Sequence, residues 1–231
     1  MLDVITTSFY IKSPDFSKED FELYSTALFD EWDAYVEATL DLPDYALTLI
    51  IEEGSIKGRG RIAATAAVLF AAITGYGSLV ESIKTIREHA NYVSNALFTQ
   101  SKRNFGCSSS RGNSSKTGGE IVFLENLFVK VQSGRMTPEQ AMRHIEVRWQ
   151  NENPPAQLIK ELQSGLQEAP RYPEQMTLPD DDWDVCLDAP EKDPRTPTPR
   201  APDPFVPTHY RIEISRTSKG DKKKVKITKV R

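Results

Sequence analysis

Residues Ile62 to Val80 read IAATAAVLFAAITGYGSLV, a run without a charge bounded by Arg61 and Glu81. An α-helix rises ~1.5 Å per residue, so about twenty apolar residues cross a ~30 Å hydrocarbon core. The run is long enough for a single transmembrane helix in a chain that is otherwise polar. Only Ile62, Val68, Leu69, Phe70, Ile73, Leu79 and Val80 are strongly apolar within it. The competing reading is the buried central helix of a protein core. Ala63, Ala67, Ala71 and Gly75 recur every four residues and would share one helix face. Small residues at that spacing let helices pack closely in lipid, which points to a membrane-inserted homo-oligomer. The run begins some sixty residues into the chain, too far in for a cleaved signal peptide.

Both flanks extend this reading. On the N-terminal side, Lys57-Gly58-Arg59-Gly60-Arg61 places three cations where a membrane helix meets the cytoplasm. On the C-terminal side the helical period continues through Ile83, Ile86, Ala90, Val93 and Leu97. Glu81, Lys84, Arg87, Glu88, Asn91 and Asn95 form the opposite, polar face. An unbroken helix from Ile62 to Gln100 would be roughly 58 Å long, half in lipid and half projecting into water. Copies packed around an axis would line an ion path with Thr74, Ser78 and Glu81.

Before the run, residues 1–60 read as an acidic α/β unit. Val4 to Ile11 is a strand. Lys18 to Leu40 is an amphipathic helix with an acidic face of Glu19, Glu22, Asp30, Glu31, Asp33 and Glu37, which is either simply solvated or able to hold cations. Tyr45 to Glu53 is a second strand, apolar on both faces and therefore central or at an interface. The long helix occupies 61–103. Residues 104–119 are Ser/Gly-rich and read as a flexible loop. Within them, Gly112 to Thr117 faintly echoes a phosphate-binding loop without its second glycine. Residues 120–168 hold three short helices, with Thr137-Pro138-Glu139-Gln140 as a capping box. Residues 169–207 are a Pro/Asp-rich linker. Residues 208–231 are a basic β-hairpin that needs a sheet to dock on.

The 231 residues carry a net charge of −4, spread unevenly. Residues 1–60 hold thirteen Asp or Glu against four Lys or Arg, and 208–231 hold nine Lys or Arg against two acids. That asymmetry suggests different partners for the two ends. In the tail, Arg211, Lys222, Lys223, Lys224, Lys226 and Lys229 could follow a phosphate backbone, with Tyr210 or His209 available to stack on a base. The same cations would also serve as a solvated edge that blocks strand-to-strand aggregation, or meet acidic lipid headgroups. Cys107 and Cys186 form no disulfide framework, and His89, His144 and His209 stand singly, so no metal site is expected. No nucleophile–base pair or carboxylate pair is visible. The expectation is a protein that is not an enzyme and that uses no cofactor.

The order Ile51-Glu52-Glu53-Gly54-Ser55, a basic spacer, an Ala-rich span, Tyr76-Gly77-Ser78 and an amphipathic helix resembles the membrane effectors of Hailong-type antiphage systems. The resemblance covers about residues 45 to 100. It implies a bacterial inner-membrane channel held shut by short DNA that a partner nucleotidyltransferase makes. The expected fold class is α+β: an N-terminal α/β unit, one long transmembrane helix, a helical module and the basic hairpin. The expected function is an oligomeric pore in the bilayer, gated by domains that sense a short single-stranded nucleic acid or a protein. The alternative is a cytoplasmic scaffold or interaction protein with residues 62–80 in its core.

Overall fold

The apolar run is not one helix. Its first three residues end a strand, β3 (Ile56–Ala64), and its middle is a short helix, α2 (Ala66–Thr74). Its last two open a separate helix, α3 (Leu79–Asn104). The computed structural model describes residues 1–12, 16–74, 79–169 and 209–230. Among them no helix is long and apolar enough to cross a membrane. The physical reason is a mismatch of length and composition. Eight of the nine residues of α2 are apolar, but the helix spans only ~14 Å. The 26 residues of α3 would reach across a bilayer, but charges and amides cover one side of them. This overturns the transmembrane helix, the ion channel built on it and the single-pass inner-membrane placement.

The local chemistry explains the break. Lys57, Arg59 and Arg61 alternate with Gly58, Gly60 and Ile62, exposed against buried, which is the period of a strand. Ala63 and Ile62 complete that strand by pairing with Ala46 and Leu47. Thr65 then begins α2: its hydroxyl accepts from the Val68 amide at 3.3 Å and its carbonyl from the Leu69 amide at 3.0 Å.

Around β3 lie β1 (Leu2–Ile11), α1 (Lys18–Thr39) and β2 (Ala46–Glu52). Ser17 caps α1, its hydroxyl accepting from the Asp20 amide at 3.1 Å. After α3 come β4 (Gly112–Gly118), α4 (Glu120–Gln132), α5 (Pro138–Trp149), α6 (Ala156–Glu168), β5 (Tyr210–Arg216) and β6 (Lys224–Lys229). Residues 112–118, expected in a loop, are therefore an edge strand, paired along β1 from Gly118 opposite Ile5 to Gly112 opposite Ile11. Their Ser, Thr, Asn and Gly are poor strand formers, and β1 supplies the template that orders them. The Thr137–Gln140 capping box is present. The hairpin docks as expected, on the free edge of β2.

The sheet is antiparallel with the order β4-β1-β3-β2-β5-β6. Its first four strands, with α1 and α3 as crossovers, follow the β-α-β-β-α-β order of the split βαβ, or ferredoxin-like, arrangement. Helices α1 and α3 pack on each other and on one face of the sheet. Phe21, Leu28, Trp32 and Val36 of α1 meet Ile83, Ile86, Val93 and Leu97 of α3 and the inward Phe9, Leu47, Leu49 and Ile51 in one core. A buried hydroxyl pair crosses it, Thr7 donating to Ser94 at 2.7 Å and Ser94 to the Ala90 carbonyl at 2.9 Å. Helices α4 to α6 form a second layer beside α3. The 5 % exposed Glu120 ties it together, accepting from Arg148 Nε and Trp149 Nε1 at 2.8 Å each.

Gly58 and Gly60 face this core. A Cβ on Gly58 would clash with Phe9 Cζ, and one on Gly60 would lie 2.9 Å from Trp32. Phe9 is 4 % exposed and cannot swing away. Gly58→Ala should therefore destabilise the protein by about 1–3 kcal/mol through overpacking, read as a lower urea midpoint. Ala67→Leu, on the exposed side of α2, should leave the stability within ~0.5 kcal/mol of wild type. A close-packed helix interface at Ala67 would give the opposite ranking.

Candidate nucleic-acid interface

Strand pairing fixes which side chains share the sheet face turned away from α1 and α3. Three rows cross it. Thr117, Thr6, Arg61, Thr48, Ser215 and Lys224 are successive partners, as are Ser115, Ser8, Arg59, Ile50, Glu213 and Lys226. The third row runs Asn113, Tyr10, Lys57, Glu52, Arg211 and Thr228. Lys57, Arg59, Arg61, Arg211, Lys224 and Lys226 are all exposed. Two of them have carboxylate partners: Arg61 with Asp3, and Arg211 with Glu52 at 3.7 Å. Among the described residues, Lys57, Arg59, Lys224 and Lys226 have none. The face thus presents cations in two blocks, on β3 and on β5–β6, set among Ser, Thr, Asn and Tyr donors. Neighbouring strands lie ~4.8 Å apart and alternate residues on one strand ~6.7 Å apart. Hydroxyls and cations at that spacing can hold a row of anionic oxygens.

This separates the predicted tail residues. Arg211, Lys224 and Lys226 lie on the open face. Tyr210 and Lys229 are opposite each other in the register but on the other side of the hairpin, where Tyr210 packs against the core. Lys222 and Lys223 belong to the turn, and Lys223 pairs with Asp30 at 2.6 Å. The sequence reading missed Lys57, Arg59 and Arg61, which it assigned to a membrane flank. Their alternation with glycine was the signal.

The predicted pore set does not come together. Ala63 is buried in β3, and Ala67 and Ala71 are exposed on α2. Thr74 closes α2, Glu81 lies exposed in the first turn of α3, and Gly75 and Ser78 lie outside the described residues. A face repeating every four residues requires one continuous helix, and the strand-to-helix change at Thr65 removes it.

The acidic face of α1 is where the hairpin is anchored. Arg216 meets Asp33 at 2.5 Å, Lys219 meets Glu37 at 3.0 Å, and Arg103 of α3 meets Glu31 at 2.7 Å. Asp33 also accepts from the Tyr45 hydroxyl at 3.2 Å, and Arg216 lies over the Tyr45 ring. Burial raises the Asp33 carboxyl above its usual value, against the pull of Arg216. Burial, and then the Asp33 charge, push the Tyr45 phenol up as well. Asp44 is the reverse case. It accepts from the Lys219 amide at 2.8 Å, the Ser218 hydroxyl at 2.9 Å and the Tyr45 amide at 2.9 Å. Those bonds, the Lys219 amide first, hold its carboxyl below the usual 3.8.

Among the described residues no three His, Cys, Asp or Glu side chains are grouped to hold a metal ion. Comparison with family models, with curated proteins and with solved structures returned no match. The likeness to Hailong-type effectors rests on its short motifs alone.

Asp44→Ala removes three bonds to a charged acceptor that joins the hairpin turn to the start of β2. We expect a loss of about 2 kcal/mol at neutral pH, measured by urea denaturation. The Asp44 carboxyl is depressed in the folded protein, so its contribution is present above pH ~4 and is lost as pH falls through the lowered value. The gap between wild type and variant should close there. A gap that persists at acid pH would assign the effect to something other than the ionised carboxylate.

Proposed function

We propose that the protein is a binding module, not an enzyme, whose open sheet face holds a single-stranded nucleic acid through its phosphates. The observation that carries this reading is the placement of six exposed cations from three strands, in register, on one face of an otherwise neutral or acidic protein. Phosphate contacts position a strand without reading its sequence, and Arg, Lys, Ser, Thr and backbone donors are the groups that make them. The split βαβ sheet leaves one face free of its helices, and such faces can accept a strand laid across them. A single strand is favoured because the face is a flat sheet surface with hydroxyl rungs, and no described helix projects from it to enter a groove. The interaction-protein alternative and the nucleic-acid partner raised by the sequence thus meet in one surface.

The test is a fluorescence-anisotropy titration with short labelled oligonucleotides over a range of salt. Wild-type affinity should fall with salt at a log–log slope of about −0.7 per phosphate contacted. Arg59→Glu combined with Lys226→Glu reverses two exposed charges in one row. It should weaken binding at least tenfold and flatten the slope by about 1.4. Lys222→Glu, in the hairpin turn, should change affinity much less. Absent or salt-independent binding, or equal losses for both variants, would refute the sheet face as the site.

A further inference from the structure

A cleft of about 440 Å³ opens at the end of the sheet where β2 turns into β3. Glu52, Glu53, Lys57, His209, Tyr210 and Val230 line it. The turn is tight: Gly54 has φ +94°, and a Cβ there would meet the His209 ring. The hairpin closes the cleft from the other side. The Val230 amide donates to the His209 carbonyl at 2.8 Å, the Glu53 amide to the Tyr210 carbonyl at 3.0 Å, and the Tyr210 amide to the Glu53 carboxylate at 3.2 Å. His209 is held at the chain's entry to β5 with its ring against Gly54.

From this geometry we infer that the cleft is a nucleobase pocket, taking one unstacked base of the strand held on the sheet, and preferring a base with an exocyclic amino group. The inference rests on the sheet-face reading above. Three features support it. Lys57 is both the last cation of the Arg61, Arg59, Lys57 stripe and a wall of the cleft, so a backbone following β3 is delivered to its mouth. The volume lies in the range of small-molecule sites. The chemistry is lopsided: two carboxylates supply acceptors beside the flat His209 ring. A carboxylate accepts from an amino group, as in a Glu contact to cytosine N4, and finds no such donor on thymine or uracil. An imidazole ring can stack on any base.

Three single-stranded probes of about eight nucleotides separate the possibilities: oligo-deoxycytidine, oligo-thymidine and an abasic strand with the same phosphates. Wild type should bind the cytidine strand about tenfold or more above the abasic strand, the scale of one stacked and bonded base. It should bind thymidine in between. His209→Ala should lose at least ~5-fold on the cytidine strand and nothing on the abasic strand, which also reports that the variant is folded. Glu52→Gln keeps the cleft's shape, replaces one acceptor oxygen by an NH2 that a thymine carbonyl can accept from, and should narrow the preference for cytidine over thymidine. Equal wild-type binding of the cytidine and abasic strands would overturn the base pocket and leave the sheet face standing. So would a wild-type cytidine-to-abasic ratio in His209→Ala. Failure of all three probes to bind wild type would overturn the sheet face, and the pocket with it.

Discussion

Two side chains that are missing from β3 determine how the molecule is arranged. Gly58 and Gly60 leave the inner face of the central strand bare, and Phe9, Trp32 and Leu97 occupy that space. The helices can then lie over the middle of the sheet with large aromatics between them. Alternation does the rest. If the inward positions are glycine, the intervening Lys57, Arg59 and Arg61 must point to the opposite face. The packing of the core and the charge of the open surface are set by the same five residues. A change that favours one side of the strand is constrained by the other.

Much of the fold was legible because local patterns were strong. The 3.6-residue stripe of α1, the capping box at Thr137 and the alternation in Tyr210, Ile212 and Ile214 each marked an element that formed where it was expected, whereas the stripe from Ile83 to Leu97 lies on a helix that starts at Leu79 and not at Ile62. The error lay in one run of residues whose hydropathy is high whichever structure they adopt. Ile62, Ala63 and Ala64 are apolar because they finish a central strand. Leu69, Ala72 and Ile73 are apolar because they bury one side of a short helix. Hydropathy alone cannot separate these from a lipid-facing span, but the two-residue period entering the run and the Thr65 cap inside it can. The open face was harder to see, since its rows join residues from six strands and depend on register. Strand β4 was hidden for another reason: its order comes from its neighbour β1, not from its own composition.

The split between an acidic head and a basic tail also has a different meaning in three dimensions. Asp30, Asp33, Glu37 and Asp44 are engaged by Lys223, Arg216, Lys219 and the Lys219 backbone. A good part of the apparent polarity of the chain is internal complementarity, which fixes where the last two strands attach. What remains for a partner is the subset of cations that strand alternation turns to the open face.

The pairing of β5 with β2 has a consequence for synthesis. Leu47 waits for Arg216, and Glu52 for Arg211, so about 160 residues of chain separate partners that lie side by side. Translation at ~5–20 residues per second leaves the β2 edge without its neighbour for on the order of 10–30 s after it emerges. An unpaired edge backed by Leu47, Leu49 and Ile51 is open to other strands throughout that interval. The nascent protein therefore passes through an association-prone state with all six described helices already made, and β5 and β6 end that exposure.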